Sequence, residues 1–135
     1  MISKEQSRKD ALHFLIENST AVVATSLDDA PYASTVYYFA DKDFNIFFIT
    51  KVNTSKYLNI SRNTRVAIVV GTGPEHISVQ ARGQAEFVFD EKRAEIIQEF
   101  IDLRAREFVK VWPIKDMEMF KDKNMIVFKL VPEQL

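Results

Sequence analysis

The chain has 135 residues, which is long enough for one domain with a single buried core. Its 18 Lys and Arg residues and 19 Asp and Glu residues leave a net charge of −1, so no positive field is available to attract nucleic acid or an anionic membrane. Because Cys is absent, disulfides, thiolate nucleophiles and Cys-ligated metals are excluded. The polar first residues and the lack of a long apolar run predict a cytoplasmic protein without a membrane or nucleic-acid partner.

A helix followed by a meander of strands is predicted for the first third of the chain. Ser3 and Gln6 form a capping box at the start of the helix, which ends near Asn18. Its apolar stripe consists of Leu12, Leu15 and Ile16. Strands are predicted over residues 20–27, 32–40 and 46–49, with turns at 28–31 and 41–43. Connections this short favour antiparallel pairing.

The middle of the chain predicts a short helix over residues 55–62, a strand over 65–70 and a long strand over 77–89. Alternate residues of the long strand, from Ile77 to Phe89, share an apolar face. Gly83 stands at its centre and is the expected bend or bulge. Barrel walls need such bends where they wrap.

A second long helix, capped by Asp90, and a last strand over residues 125–131 complete the prediction. The apolar stripe of this helix is predicted to be Ala94, Ile97, Ile101, Ala105 and Phe108. No linker or repeat interrupts the pattern. We therefore predict one mainly β domain over residues 1–135, a six- or seven-stranded antiparallel barrel with flanking helices.

The strand before the short helix runs into hydroxyl and ammonium groups, a pattern typical of a phosphate site. Asn53 or Thr54 is placed to cap the first free N–H groups of the helix. A phosphate there would accept hydrogen bonds from these N–H groups and from the Thr54 and Ser55 hydroxyls, while Lys56 supplies positive charge, with Lys51 as a second candidate. From these residues alone, an ordinary capped helix with surface lysines is the simpler interpretation.

Three segments, taken together, resemble a known family. They are Ala30-Pro31-Tyr32-Ala33-Ser34-Thr35-Val36-Tyr37-Tyr38; the run from Ile49-Thr50 through Thr54-Ser55-Lys56 to Asn59, Asn63 and Arg65-Val66-Ala67; and Val79-Gln80-Ala81-Arg82-Gly83-Gln84-Ala85-Glu86. Their order and spacing are similar to those of the pyridoxamine 5'-phosphate oxidase-like family of FMN-binding split barrels. The resemblance covers residues 12–89, is weaker beyond them, and favours the phosphate interpretation of Ser55 and Lys56.

The resemblance implies a homodimer with two FMN molecules at the subunit interface. In such proteins the strand that matches Ser34, Thr35, Val36 and Tyr37 lies along the isoalloxazine ring and offers backbone hydrogen bonds. The residues that match Ile49, Thr50, Ser55 and Lys56 reach the ribityl chain and the phosphate. Because a flavin performs the hydride chemistry, the chain needs no nucleophile of its own, and we assign no catalytic residue.

The sequence also departs from the family pattern. Ser34 and Ser55 occupy positions where the vitamin oxidases carry basic residues for the FMN phosphate, and Thr64 replaces a frequent Pro. Residues 129–135 lack the arginine- and histidine-containing segment with which the true oxidases hold their substrate. Oxidation of pyridoxamine phosphate is therefore not expected.

Several other residues are candidates for the cofactor site or for ordinary packing. Trp112 follows the long helix and would either cover the flavin across a dimer or pack a loop. Ser78, Gln80 and Arg82 share the polar face of the long strand and would meet flavin carbonyls, the partner subunit or solvent.

Aromatic and histidine residues have similar alternatives. Tyr37 and Tyr38 would line a substrate pocket or pack within the barrel. We interpret His13 and His76 as surface or core histidines and predict no metal, because no second ligand stands at metal-binding spacing.

Two functions from different classes fit these features. The first is an FMN-dependent oxidoreductase that acts on a small planar or quinone-like acceptor. The second is a non-catalytic protein that stores, shuttles or senses flavin, for example under stress. Relatives of the same fold bind haem or a deazaflavin, but the Ser55 and Lys56 anchor favours a phosphorylated flavin over haem, which needs an axial ligand.

Overall fold

The computed structural model describes residues 4–52, 54–71, 78–108 and 125–134. The elements in that part of the chain are α1 (Lys4–Glu17), β1 (Thr20–Leu27), β2 (Ala30–Ala40), β3 (Ile46–Lys51), α2 (Ser55–Arg62), β4 (Arg65–Gly71), β5 (Ser78–Val88), α3 (Asp90–Phe108) and β6 (Met125–Gln134). No helix among these residues is both long and apolar enough to cross a membrane.

The six strands form a closed antiparallel barrel in the order β1-β2-β3-β6-β5-β4. The predicted mainly β barrel with flanking helices is confirmed. The meander of β1, β2 and β3 follows from short connections, whereas closure depends on β6, which pairs with β3 on one side and β5 on the other.

The β1–β2 hairpin is tighter than predicted. Asp28 and Asp29 alone form the turn, with φ of 50° and 65°, and Pro31 already pairs with Ser26 in the sheet. Two consecutive left-handed residues make a turn whose twist matches that of the strands, and Asp tolerates this conformation better than most residues. The turn predicted over residues 28–31 was therefore two residues too long.

β5 bends at the predicted glycine. Its register with β6 shifts between Arg82 and Gly83, and a Cβ atom at Gly83 would collide with the Val131 carbonyl oxygen. The bulge brings the two backbones close enough that only glycine fits.

The end of β5 differs from the prediction. The strand stops at Val88, and Phe89 is 65% exposed instead of lying in the core. Val88 is buried against α3, because the chain turns there and the Arg93 N–H already bonds to the Phe89 carbonyl. Strand alternation ends where the helical hydrogen bonds begin.

The apolar residues form two layers. One fills the barrel, and its largest fully buried side chains include Tyr38, Phe48 and Phe128. The other lies outside the barrel, where α3 covers Phe47 and Ile49 of β3.

The buried face of α3 was only partly predicted. Ile97 is buried as expected, but Ala94 is exposed, and Ile96 and Phe100 are buried instead. The helix turns its larger side chains inward because they remove more apolar area from water than alanine does. Three predicted positions lie outside the side chains that the structure describes: Ile101, Ala105 and Phe108.

The remaining helices close the two ends of the barrel. Leu15 of α1 is fully buried at one end, where its carbonyl accepts a 2.7 Å hydrogen bond from the Tyr38 hydroxyl. Ile16, predicted for the same stripe, is 52% exposed. At the other end, Ile60 of α2 is buried in the barrel core. The predicted phosphate segment therefore lies at the α2 end.

Candidate functional site

The start of α2 is held by a network of hydroxyl groups. The Thr54 hydroxyl accepts the Tyr57 N–H at 3.2 Å and donates to the Lys51 carbonyl at 2.9 Å. The hydroxyl of Thr50, a buried residue, lies 3.0 Å from it and is the donor of that pair, since the Thr54 hydrogen is already used. Thr54 is thus the cap, as predicted, while its role as a phosphate ligand stays a prediction. Asn53 lies outside the described residues.

Lys56 is the cation of this site. Its ammonium donates to the Ser34 hydroxyl at 3.2 Å, which links α2 to β2. The side chain is half-buried, and this desolvation lowers its pKa below that of an exposed lysine. Among the residues that the structure describes, no carboxylate lies within ion-pairing distance of the Lys56 ammonium. A partly desolvated cation without a counter-ion is poised to bind an anion.

The barrel wall opens beside Lys56. β2 pairs with β3 only through Tyr38, Phe39 and Ala40, whereas the preceding Ser34 and Thr35 pair with β1 alone. This opening exposes one backbone edge of β2 in the stretch predicted to hydrogen-bond the flavin. Backbone groups at such an edge need a partner from solvent or from a ligand.

Two predicted site residues can contribute only through their backbone. The Val36 side chain is buried in the barrel core, and the Ile49 side chain is buried under α3. Ser55, in contrast, is exposed at the first position of α2.

The outer face of the sheet collects the other predicted residues. Thr35 and Tyr37 of β2 are exposed on it, and so are Ser78 and Gln80 of β5. One row of paired residues crosses the face as Thr35, Val22, Val69 and Gln80, and the next as Ala33, Ala24, Ala67 and Arg82. Gln80 therefore stands three strand spacings, about 14 Å, from β2. Within one subunit the structure does not bring Gln80 and Ser78 to the Lys56 site.

The middle of this outer face is a shallow apolar concavity of about 520 Å³. Its lining includes the exposed alanines Ala24 and Ala67 and the partly exposed Val22 and Val69. Exposed apolar patches rimmed by polar residues commonly mark an interaction surface.

A smaller, equally shallow cavity of about 410 Å³, open to solvent, lies between the β1–β2 hairpin and α2. Its lining consists of Leu27, Asp28, Ala30, Pro31, Tyr32, Ser55 and Asn59. Asn59 and Tyr32 stand in the segments that resemble the family, but their sequence context alone predicts no role for them. The available signal was the four-residue spacing of Ser55 and Asn59, which places both on one face of a helix.

Of the two histidines, His13 is the one within the described residues, and it lies at the barrel end opposite to Lys56. His13 is exposed on α1 and pairs with Glu17 at 2.9 Å. The described residues include no cluster of three metal-ligating side chains. Trp112 and His76 lie outside the described residues, so the role proposed for Trp112 stays a prediction.

The sequence profile of the pyridoxamine 5'-phosphate oxidase family matches residues 8–134. The chain belongs to this family. The resemblance found in the sequence is thereby confirmed. No curated protein matches the chain in sequence.

Solved structures of the same fold include members of the pyridoxamine 5'-phosphate oxidase family. A candidate pyridoxamine 5'-phosphate oxidase from Listeria innocua is 19% identical, with a TM-score of 0.72 and coverage of 95% of this chain and 94% of that one. An FAD-binding protein from Mesorhizobium loti is 16% identical, with a TM-score of 0.68 and coverage of 93% and 87%. A heme-binding protein from Mycobacterium smegmatis is 14% identical, with a TM-score of 0.69, and 97% of this chain covers 53% of it.

Proposed function

We propose that the protein is a flavoprotein that binds a phosphorylated flavin, of which FMN is the smallest, at the opening between β2 and β3. The observation that carries the proposal is the half-buried Lys56 ammonium, which donates to Ser34 and has no carboxylate partner in the described part of the chain. Membership of the oxidase family and the FAD-binding neighbour support the same class of cofactor.

The residues present suit such a cofactor. Lys56, the Ser55 and Ser34 hydroxyls and the N–H groups at the start of α2 would hold the phosphate. The open edge of β2 from Ser34 to Val36 would hydrogen-bond the flavin ring, with Thr35 and Tyr37 beside it. The Thr50 and Thr54 hydroxyls would fix the anchor by holding the cap in place. A bound flavin would supply hydride or single-electron transfer, and the chain would bind and orient it.

A homodimer would complete the site. The apolar concavity around Ala24 and Ala67 suits an isologous contact. A two-fold axis there would bring Gln80 and Ser78 of the partner subunit toward the cofactor bound at Lys56. This assembly accounts for the predicted residues that a single subunit keeps about 14 Å from β2.

The activity that we propose is an oxidoreductase acting on a small planar or quinone-like acceptor. The exposed side chains of Thr35 and Tyr37 would leave room for such a molecule beside the ring. A non-catalytic role in flavin storage or sensing needs the same flavin-binding edge of β2. The steady-state rate of quinone reduction by the flavin-loaded protein, with a nicotinamide as electron donor, distinguishes an oxidoreductase from a non-catalytic flavin protein.

Haem is the second candidate cofactor, favoured by the heme-binding neighbour. Haem iron needs an axial ligand. The histidine with a described side chain, His13, lies on α1 and is paired with Glu17 at the barrel end opposite to Lys56. The absorption spectrum of the freshly purified protein distinguishes flavin, deazaflavin and haem.

Lys56→Ala tests the phosphate anchor. We expect it to weaken FMN binding by about 1.5–3 kcal/mol, or roughly 10- to 150-fold, because a charge-assisted hydrogen bond to phosphate is lost. Riboflavin lacks the phosphate, so its affinity should change far less. Isothermal titration calorimetry with both ligands measures the difference, and equal losses for the two would contradict the assignment.

The same experiment has a pH dependence of known sign. Burial lowers the pKa of Lys56, so its charge is lost at a lower pH than that of an exposed lysine. The preference for FMN over riboflavin should therefore fall as the pH rises through this lowered pKa, and Lys56→Ala should abolish the fall. Lys42→Ala, an exposed lysine of the β2–β3 turn, is the control and should behave like the native protein.

Pyridoxamine phosphate should not be turned over. Residues 129–135 contain neither Arg nor His that could pair with the substrate phosphate. Without these cations the substrate would not be oriented over the flavin. Pyridoxal phosphate formation by the FMN-loaded protein at about 1 per second or faster would overturn this expectation.

A further inference from the structure

The cavity between the β1–β2 hairpin and α2 lies next to the proposed phosphate anchor. Ser55 lines it, and Ser55 is the neighbour of Lys56 in α2. Tyr32 also lines it and precedes Ser34 by two residues along β2, toward the hairpin and away from Tyr37. The edge of β2 that would bind the flavin ring, the Lys56 anchor and the cavity thus follow one another along β2.

The chemistry of the lining suits an uncharged planar group that carries hydroxyls. Leu27 and Pro31 supply apolar walls, and the Tyr32 ring is 42% exposed, which leaves it able to stack. Among the described residues, the lining holds one carboxylate, that of Asp28, and no cation. A second anion inside the cavity would therefore be disfavoured, whereas a ribose diol could donate to Asp28.

Asn59 provides an independent indication of a ligand. It is only 8% exposed, and its amide nitrogen donates to the Thr25 hydroxyl at 3.0 Å. Within the part of the chain that the structure describes, the other polar atom of this amide has no partner. A buried amide with one unused polar atom costs stability unless a ligand or water satisfies it. Asn amides pair well with the edge of adenine.

We propose that this cavity holds the nucleoside half of a dinucleotide flavin, so that the cofactor is FAD or a similar molecule. The inference rests on the proposed flavin function and extends it. The flavin phosphate would lie at Lys56, and the adenosine would continue into the cavity. Its adenine base would stack on Tyr32 and present its edge to Asn59, and its ribose would lie at Asp28. The cavity, of about 410 Å³, is shallow and open to solvent, so one side of the bound adenosine would stay exposed.

Calorimetric titration of the 135-residue apoprotein with FMN and with FAD tests this proposal. FAD should bind at least about tenfold more tightly than FMN. Tyr32→Ala should weaken FAD binding about tenfold, as expected for loss of base stacking, and FMN binding less than about threefold. Tyr32→Phe keeps the ring and should retain the FAD affinity. Circular dichroism checks that the variants are folded, which we expect because Tyr32 is partly exposed.

The results separate this inference from the proposed function. Equal affinities for FMN and FAD, or an FAD preference that Tyr32→Ala leaves unchanged, would overturn the nucleoside site while leaving flavin binding intact. If the protein binds neither FMN nor FAD, both the flavin function and the nucleoside site are refuted. Tyr37 lies beside the edge of β2 that would bind the flavin ring, so Tyr37→Ala should weaken the binding of FMN and FAD equally.

Discussion

Replacing Ala24 by Arg should break the proposed dimer into monomers and weaken flavin binding at the same time. Ala24 lies at the centre of the outer face, paired with Ala33 on one side and Ala67 on the other. A two-fold axis places two copies of the new side chain in one contact. At about 1–3 kcal/mol for each overpacked site, the penalty is about 2–6 kcal/mol per dimer, or at least roughly 30-fold in association.

The matched control is Ala94→Arg, which places the same side chain on the exposed face of α3. We expect this variant to remain dimeric and to bind flavin as the native protein does. Light scattering over a range of concentrations and flavin titration give the two readouts. If Ala24→Arg stays dimeric with native flavin affinity, the proposed interface is wrong.

The sequence identified the features that depend on neighbouring residues. Alternation along β5 and the bulge at Gly83 follow from side-chain periodicity and from the one residue type that fits a close backbone approach. The helix start at Ser55 follows from the hydroxyl cap at Thr54. These signals act within a few residues and need no tertiary information.

Other features required the folded structure. The contact of Lys56 with Ser34 joins residues 22 positions apart, and that of Asn59 with Thr25 joins residues 34 apart. The opening beside β2 exists because pairing with β3 stops at Tyr38, and register between strands is not visible in one sequence.

The orientation of α3 shows why the helix pattern was ambiguous. Apolar residues lie on more than one side of this helix, so a stripe through Ala94 and Ile97 and a face formed by Ile96, Ile97 and Phe100 both fit a helical period. Packing against Phe39 and Phe47 decides between them, since the Phe39 ring lies 4.8 Å from that of Phe100. The larger buried area selects the second face.

The proposed anchor has a cost in stability, which is typical of a functional residue. Because burial places the pKa of Lys56 below its unfolded-state value, the unfolded chain binds the proton more tightly. The stability of the apoprotein should therefore rise with pH between these two values. An anion bound beside Lys56 would raise the lowered pKa of this residue again, so cofactor binding and folding are expected to reinforce each other.

Phe128→Ala should cause the largest loss of stability among the substitutions considered, about 3–5 kcal/mol in the free energy of unfolding. Phe128 is fully buried on β6, and its ring lies 5.5 Å from that of Phe48 and 4.8 Å from that of Phe87. Since β6 closes the barrel between β3 and β5, a cavity at this position removes contacts on both sides of the closing strand. A typical domain is stable by about 5–15 kcal/mol, so the loss is a large share of the total.

Phe89→Ala is the matched control for Phe128→Ala, because it removes the same ring from a residue that is 65% exposed. The Phe89 ring stacks on that of Phe87 at 5.7 Å, so a loss of no more than about 1.5 kcal/mol is expected. Urea unfolding midpoints measure both variants. Losses of similar size would mean that Phe128 does not hold the barrel closed. The expected difference would mean that packing of the closing strand contributes a large part of the free energy of unfolding.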